Sequence, residues 1–193
     1  VFNDIIGQHY SNKGNLDSAI YFYEKAYQID IKNDFKLNAA STLNNIGVVY
    51  QNQADYEKAI TKFTEALKIA EAEKNNSLTA ICNQNIGQIY LEQGNYKKCI
   101  EIYNDVIKLH ALDENIDGVA SAYSSIAGTY AQMKDTAKAN YYFDKAIKVF
   151  KKTENFLELA TAYTDASSLE KDISKRIEIK LKAQKIWDEY SPS

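Results

Sequence analysis

Apolar and small residues recur in this chain at helical spacing, and the pattern itself returns every 40 residues. Ile6-Gly7-x-x-Tyr10, Ile46-Gly47-x-x-Tyr50, Ile86-Gly87-x-x-Tyr90 and Ile126-Ala127-x-x-Tyr130 stand in register. A second phrase keeps the same period: Ala19 with Tyr23 and Ala26, Ala59 with Phe63 and Ala66, Cys99 with Tyr103 and Val106, Ala139 with Phe143 and Ala146. Apolar residues three and four apart line one face of an α-helix, so each period predicts a pair of helices. First helices are expected over 2–13, 38–53, 78–93, 117–133 and 157–170, and second helices over 16–32, 56–73, 96–112, 136–152 and 174–189.

The breaks between helices follow the same period. Gly14-Asn15, Ala54-Asp55, Gly94-Asn95 and Lys134-Asp135 mark the turn inside each pair. A residue in the left-handed conformation ends one helix, and the Asn or Asp side chain starts the next by accepting a backbone N–H. The two turns without glycine are expected to be less sharply held. Longer connections with Asn33-Asp34, Asn75-Asn76, Asn115 and Glu154-Asn155 lead to the next pair. Gly7, Gly47 and Gly87 lie inside first helices, where glycine costs roughly 0.5–1 kcal/mol relative to alanine. Close approach of the backbone to Ala19, Ala59 and Cys99 of the second helices is the expected compensation. Tyr10, Tyr50, Tyr90 and Tyr130, with Tyr23, Phe63, Tyr103 and Phe143, are expected to fill the core around that contact.

Self-similarity at this period describes an array whose units bury their apolar faces against their neighbours. The expectation is a single all-α array over 1–193, with repeats at approximately 1–36, 37–76, 77–116, 117–156 and 157–193. Val1 enters inside a helix and Ser191-Pro192-Ser193 reads as the start of another unit, so a longer parent protein is expected. In the fifth repeat Ala166-Ser167 replaces Ile-Gly and Glu170 replaces Tyr, although Ile177, Leu181, Ile186 and Trp187 still offer an apolar face.

Composition narrows the function. A net charge of −3 gives no overall attraction to nucleic acid or anionic membrane. No apolar run approaches the ~18 residues needed to span a bilayer. Cys82 and Cys99 read as two small buried hydrophobes rather than a disulfide. His9 and His110 lie in different repeats without metal-ligand spacing, and each reads as an ordinary surface or partly buried residue. With no phosphate loop and no Cys-His grouping, no catalytic site, cofactor or metal is expected in this segment.

The phrases Leu43-Asn44-Asn45-Ile46-Gly47-Val48-Val49-Tyr50 and Tyr56-Glu57-Lys58-Ala59-Ile60 resemble the tetratricopeptide repeat, or TPR, over nearly the whole chain. The resemblance implies a right-handed αα-superhelix, a TPR solenoid of about five helix-turn-helix repeats. Each unit is about six residues longer than the common ~34-residue TPR. Lengthened repeats with an Asn-Asn-Ile-Gly phrase resemble the TPR regions of bacterial sensor histidine kinases of the Bacteroidetes type, and those of cytoplasmic regulators that bind signalling peptides. The first likeness implies a sensor region in an extracytoplasmic or periplasmic setting, the second a cytoplasmic one.

In the family that the chain resembles, first helices line the concave surface. Apart from Lys13 at an end, the expected first helices carry no Lys or Arg, whereas Lys58, Lys62, Lys68, Lys97, Lys98, Lys108, Lys138, Lys145 and Lys148 lie on second helices. Such a groove is a poor clamp for a carboxylate or for phosphates. It offers amides and hydroxyls instead: Asn44, Asn45, Gln84, Asn85, Gln88, Ser124 and Ser125, with Asn45, Asn85, Ser125 and Asp165 forming one row at the repeat spacing. Amides carry donors and an acceptor and pair with the backbone of an extended peptide. The resemblance implies that use, so a peptide or protein segment is the expected partner. The same residues also suit a merely solvated helix face, or amides that satisfy neighbouring helix ends. A scaffold or self-association element, with an end-to-end homodimer, is the alternative function.

Overall fold

The turns set the architecture. In a computed structural model, which describes residues 2–190, ten α-helices follow one another. They are α1 (Phe2–Asn12), α2 (Leu16–Lys32), α3 (Lys36–Asn52), α4 (Tyr56–Ala72), α5 (Asn76–Glu92), α6 (Tyr96–Leu112), α7 (Ile116–Gln132), α8 (Thr136–Thr153), α9 (Phe156–Leu169) and α10 (Ile173–Tyr190). Helices α2 to α9 start at 20-residue intervals, so the 40-residue repeat is two equal halves. The connections between repeats are therefore as short as those within them, contrary to the longer links expected.

One device makes nearly every turn. Gly14 and Gly94 adopt φ of 73°, and Asp34, Ala54, Lys74, Glu114, Lys134 and Glu154 adopt the same left-handed region at 54–61°. Side-chain oxygens of Asn15, Asp55, Asn75, Asn95, Asn115, Asp135 and Asn155 then accept the N–H three residues on. The turns lacking glycine thus keep the geometry of those that have it, and differ in the strain that a Cβ brings there. Phe35 is the exception. It holds the cap position before α3 with no side-chain hydrogen bond and is exposed.

The chain divides into two compact units, Val1–Gln93 and Gly94–Ser193. In the first, Ala19 and Tyr23 of α2 pack with Ile46 and Val49 of α3, and Ala66 and Ala70 of α4 pack with Leu78 and Cys82 of α5. A Cβ on Gly7 would lie 2.8 Å from the Tyr23 ring, and one on Gly47 would lie 2.5 Å from that of Phe63. These two glycines make room for an aromatic ring of the partner helix, not for backbone approach at Ala19 or Ala59 as expected. In the second unit, Ala127, Phe143, Ala146, Phe150, Leu159 and Ala162 form the core.

The fifth pair departs where its sequence does. Helix α9 ends at Leu169, Glu170 is extended, and the Arg176 guanidinium donates twice to the Glu170 carbonyl at 2.9 and 2.7 Å. Helix α10 starts early, with Asp172 accepting from the N–H groups of Ser174 and Lys175. Ile186 packs on the core and Trp187 is half-buried, but Ile177 and Leu181 are exposed. The tail Ser191-Pro192-Ser193, read above as the start of a further unit, lies outside the described residues, as does Val1. No helix among the described residues is long and apolar enough to cross a membrane.

Candidate functional site

The candidate amides are carried by first helices that their neighbours hold firmly on one side and leave open on the other. Ile46, Gly47 and Val49 face the core of the first unit, which turns Ser41 to solvent and leaves Asn45 and Val48 half-buried. The same alternation on α5 exposes Ile81 and leaves Gln84, Asn85 and Gln88 half-buried.

Asn44 is an exception to the open row. It is buried, at 8% exposure, and its Oδ1 accepts a 2.8 Å hydrogen bond from Asn85 Nδ2. The pair therefore joins α3 to α5 one position out of the repeat register, 41 residues apart. It consumes one donor and one acceptor, and a primary amide has two donors and two lone pairs. Asn85 is half-buried and solvent reaches it, whereas Asn44 is buried and serves as its acceptor.

Gln88 belongs to a second cluster. Its Nε2 donates to Glu92 Oε1 at 3.1 Å, Gln51 Nε2 donates to the same oxygen at 3.2 Å, and the Tyr56 hydroxyl also bonds Glu92, which raises the phenol pKa. Glu92 thus gathers side chains from the ends of α3 and α5 and the start of α4. Sequence reasoning left Glu92 out. Its signal was available, since Asn12, Asn52 and Gln132 occupy the equivalent positions of the other three repeats that keep the first-helix phrase, and Glu92 is the acid among these four. Gln84 is engaged in an interaction of its own.

Ser124 and Ser125 lie on α7 in the second unit, and are described with it alone. Ser125 Oγ donates to the Ser121 carbonyl at 3.2 Å. Ser124 Oγ is buried and has no hydrogen-bond partner among the described residues. Asp165 continues the row on α9, is exposed, and has a carboxyl pushed above its usual range by desolvation.

Charge divides between the two kinds of helix, with one correction. Among the described residues Lys36, the first residue of α3, is the one Lys or Arg on α1, α3, α5, α7 or α9, while Lys13 falls just past α1. Lys36 is paired with Glu73 at 3.1 Å. Lysines of the second helices pair locally: Lys58 with Asp55, Lys62 with Glu65, Lys108 with Asp105 and Lys138 with Asp135. Such exposed pairs contribute little, roughly 0–1 kcal/mol each.

Two buried groups were not anticipated as such. His110, read from the sequence as surface or partly buried, is buried at 7% exposure, and its ring lies where a Cβ on Gly118 would come within 2.6 Å. Asp30 is buried with Oδ2 unpartnered, and desolvation, then the Asp4 carboxylate, raises its pKa. Both cysteines are free and buried as expected, with burial pushing the Cys82 thiol up to about 11. No group of three or more His, Cys, Asp or Glu side chains among the described residues is placed to hold a metal ion.

Comparison with known proteins settles the family. The sequence profile of the tetratricopeptide repeat matches residues 2–72, 38–112 and 76–152, most of the chain. The chain belongs to the tetratricopeptide repeat family. Its fold class is accordingly the all-α, αα-superhelical class of TPR proteins, and at the level of the family it is a protein-interaction module. No curated protein matches the sequence. Among solved structures, apo RapI is similar over 97% of this chain and 70% of its own, with 19% identity and a TM-score of 0.81. A Rap protein complexed with competence and sporulation factor is similar at 18% identity and a TM-score of 0.80, over 97% of this chain and 54% of its own. A signal transduction ATPase of Pyrococcus horikoshii with a TPR sensor is similar at 20% identity and a TM-score of 0.79, over 98% of this TPR chain and 30% of its own. Identities this low speak for the shared fold.

Proposed function

We propose that this TPR chain is a non-catalytic recognition module of a signalling protein, and that it binds an extended peptide or protein segment along the solvent-facing side of its first helices. The Asn44–Asn85 pair carries this reading. A buried amide fixes a half-exposed one in orientation, and that is the arrangement needed to offer a donor and an acceptor to a peptide backbone without first ordering the side chain. Asn45, Gln84 and Gln88 extend the polar face in the first unit, and Ser124 and Ser125 are the corresponding positions of the second. Exposed Ile81 and half-buried Val48 supply apolar contact between the amides. The near absence of cations on the first helices disfavours a carboxylate-clamping or nucleic-acid role.

Similarity to a Rap protein solved with competence and sporulation factor, and to a signal transduction ATPase with a TPR sensor, supports a place in signalling. Two finer roles fit. The Asn-Asn-Ile-Gly phrase and the 40-residue period favour the sensor region of a bacterial histidine kinase, and the Rap likeness favours a regulator that binds signalling peptides. The test is calorimetric titration of the chain with peptide pools. Binding that is lost in Asn85→Ala and Asn45→Ala at unchanged helicity supports the reading. Binding that survives both substitutions moves the site elsewhere.

A further inference from the structure

Helices α8 and α10 both pack on α9, and between them lies a cavity of about 310 Å³ over the first turns of α9. Buried Leu159 and half-buried Phe156 and Ile186 give it an apolar lining, while exposed Lys151, Lys182 and Lys185 bring three ammonium groups to it. The Phe156 and Tyr190 rings wall one side, stacked with centroids 3.9 Å apart. The Lys151 ammonium lies 5.5 Å from the centroid of the Tyr163 ring. Lys182 is bonded to Glu178 at 2.7 Å, which is the main reason its pKa is raised, and it also interacts with Tyr163. Among the described residues, Lys151 and Lys185 have no carboxylate within salt-bridge distance. Glu189 is the one acid in the lining, and the Tyr190 hydroxyl is hydrogen-bonded to it.

A groove of the same kind occurs in the first unit, where α2 and α4 pack on α3. It measures about 450 Å³ and is lined by Ile31, Asp34, Lys36, Lys68, Ile69 and Glu73 among others. Such a groove is therefore a property of the repeat rather than of an end of the array. Its charges balance, two acids against two bases, and Lys36 meets Glu73 at 3.1 Å. Lys151 stands where Ile31 stands in that groove, and Phe156 stands where Lys36 does. The second groove thus gains a cation at one position and an aromatic wall at the other. Three bases face one hydrogen-bonded acid there, in a chain whose net charge is −3. Charges of one sign around a concavity with apolar walls focus the field and attract a counter-charge.

We propose that this cavity is a second binding site, which takes an acidic peptide segment carrying an apolar side chain beside its carboxylates. The apolar side chain enters between Phe156, Leu159 and Ile186, and the carboxylates meet Lys151, Lys182 and Lys185. A lysine ammonium offers three donors on a flexible stem, so the pattern of charge selects the segment more than its exact sequence does. Glu178 and Glu189 favour a peptide over a lipid surface or a nucleic acid. A continuous array of phosphates meets both acids as repulsion, whereas a peptide can place its carboxylates opposite the lysines alone. None of these residues belongs to the amide face, so the two sites are separable.

The test is fluorescence anisotropy of a fluorescein-labelled dodecapeptide of repeating Asp-Phe-Glu-Gly units, titrated with the chain. The expected result is saturable one-to-one binding that weakens as salt rises. It is lost when the peptide carries Ser for Phe, or Asn and Gln for its acids. Lys151→Gln, Lys182→Gln and Lys185→Gln, all at exposed positions, each weaken binding about threefold to fivefold, and together about thirtyfold or more. The charge-matched variant Lys68→Gln, Lys97→Gln, Lys108→Gln binds as wild type does, and so does Asn45→Ala, Asn85→Ala. No binding, or binding that the three cavity substitutions leave unchanged, overturns the proposal. An equal loss in the charge-matched variant does so too, because the attraction would then be to overall charge. Loss in the asparagine variant would assign the probe to the amide face instead. Displacement of the peptide by an equal concentration of inorganic phosphate, or co-sedimentation with phosphatidylserine vesicles that the cavity substitutions abolish, would replace the peptide by a small anion or a lipid surface and overturn the proposal equally.

Discussion

Asn85 Nδ2 lies 2.8 Å from Asn44 Oδ1, and this bond ties α5 to α3 through a buried acceptor. The two residues are therefore not equal members of a row. Removing Asn85 strands a buried amide oxygen, which costs about 1–3 kcal/mol, whereas an apolar replacement of both partners relieves the desolvation as well. In urea unfolding, Asn85→Ala is expected to destabilise by about 1–2 kcal/mol. The double variant Asn44→Leu, Asn85→Ala is expected to recover part of that loss. Peptide binding should be lost in both. Full additivity of the two substitutions would mean that the pair is not coupled.

Gly47 and the Phe63 ring are fitted to one another, with 2.5 Å between an added Cβ and ring carbon Cε1. Alanine is the better helix former by up to about 1 kcal/mol, so a loosely packed site would gain from Gly47→Ala. Phe63 is fully buried, so its ring can yield only by displacing its neighbours. Overpacking of this kind costs about 1–3 kcal/mol, and the net expectation is a loss of about 1 kcal/mol by thermal or urea unfolding. Combining Gly47→Ala with Phe63→Leu should cost less than the sum of the single changes.

Phe35 occupies a position where seven other turns carry a capping Asn or Asp, and it leaves the first turn of α3 without a side-chain acceptor. Phe35→Asn is expected to stabilise the chain by about 1 kcal/mol, the usual value of an N-cap. The gain should appear in the unfolding midpoint with unchanged m-value, and amide exchange should slow at Asn38, whose N–H the new side chain would bond. A neutral or destabilising result would show that the exposed ring makes a contact of greater value than the cap.

Periodicity made the repeat, the helix pairs and the capped turns legible, because each depends on residues within a few positions of one another. Asn15, Asp55, Asn95 and Asp135 cap where their sequence placed them. What was not legible depends on partners one repeat away. The Asn44–Asn85 bond joins positions 41 apart, while the register that suggested a row is 40, so the sequence pattern aligned Asn85 with Asn45 instead. Gly7 and Gly47 were correctly singled out as packing residues, but spacing could not say whether Ala or the aromatic ring of the next helix would meet them. His110 carried no local sign of burial. It replaces Asp30, Ala70 or Phe150 of the sister repeats, and its environment is made by Gly118 on the following helix.

His110 gives the chain a pH dependence whose sign can be worked out. Asn115 Oδ1 accepts the Gly118 N–H, so its Nδ2 faces His110 Nδ1 as a donor at 3.3 Å and the imidazole proton must sit on Nε2. That atom is buried without a partner among the described residues. Desolvation therefore disfavours the imidazolium and lowers the His110 pKa, with Asp113 opposing in part. Below the unfolded value of about 6.5 the unfolded chain takes up a proton that the folded chain resists. Stability is thus fully present above that pH and falls as pH drops through it, by up to about 1.4 kcal/mol per pH unit. Asp30 works in the opposite sense, since its raised carboxyl pKa favours the fold as pH falls. The measurement that isolates His110 is urea unfolding of wild type and His110→Phe, the residue at the equivalent position 150, at pH 5 and pH 7.5. Wild type should lose more stability on acidification than the variant does. Equal losses would place the acid sensitivity elsewhere in the chain.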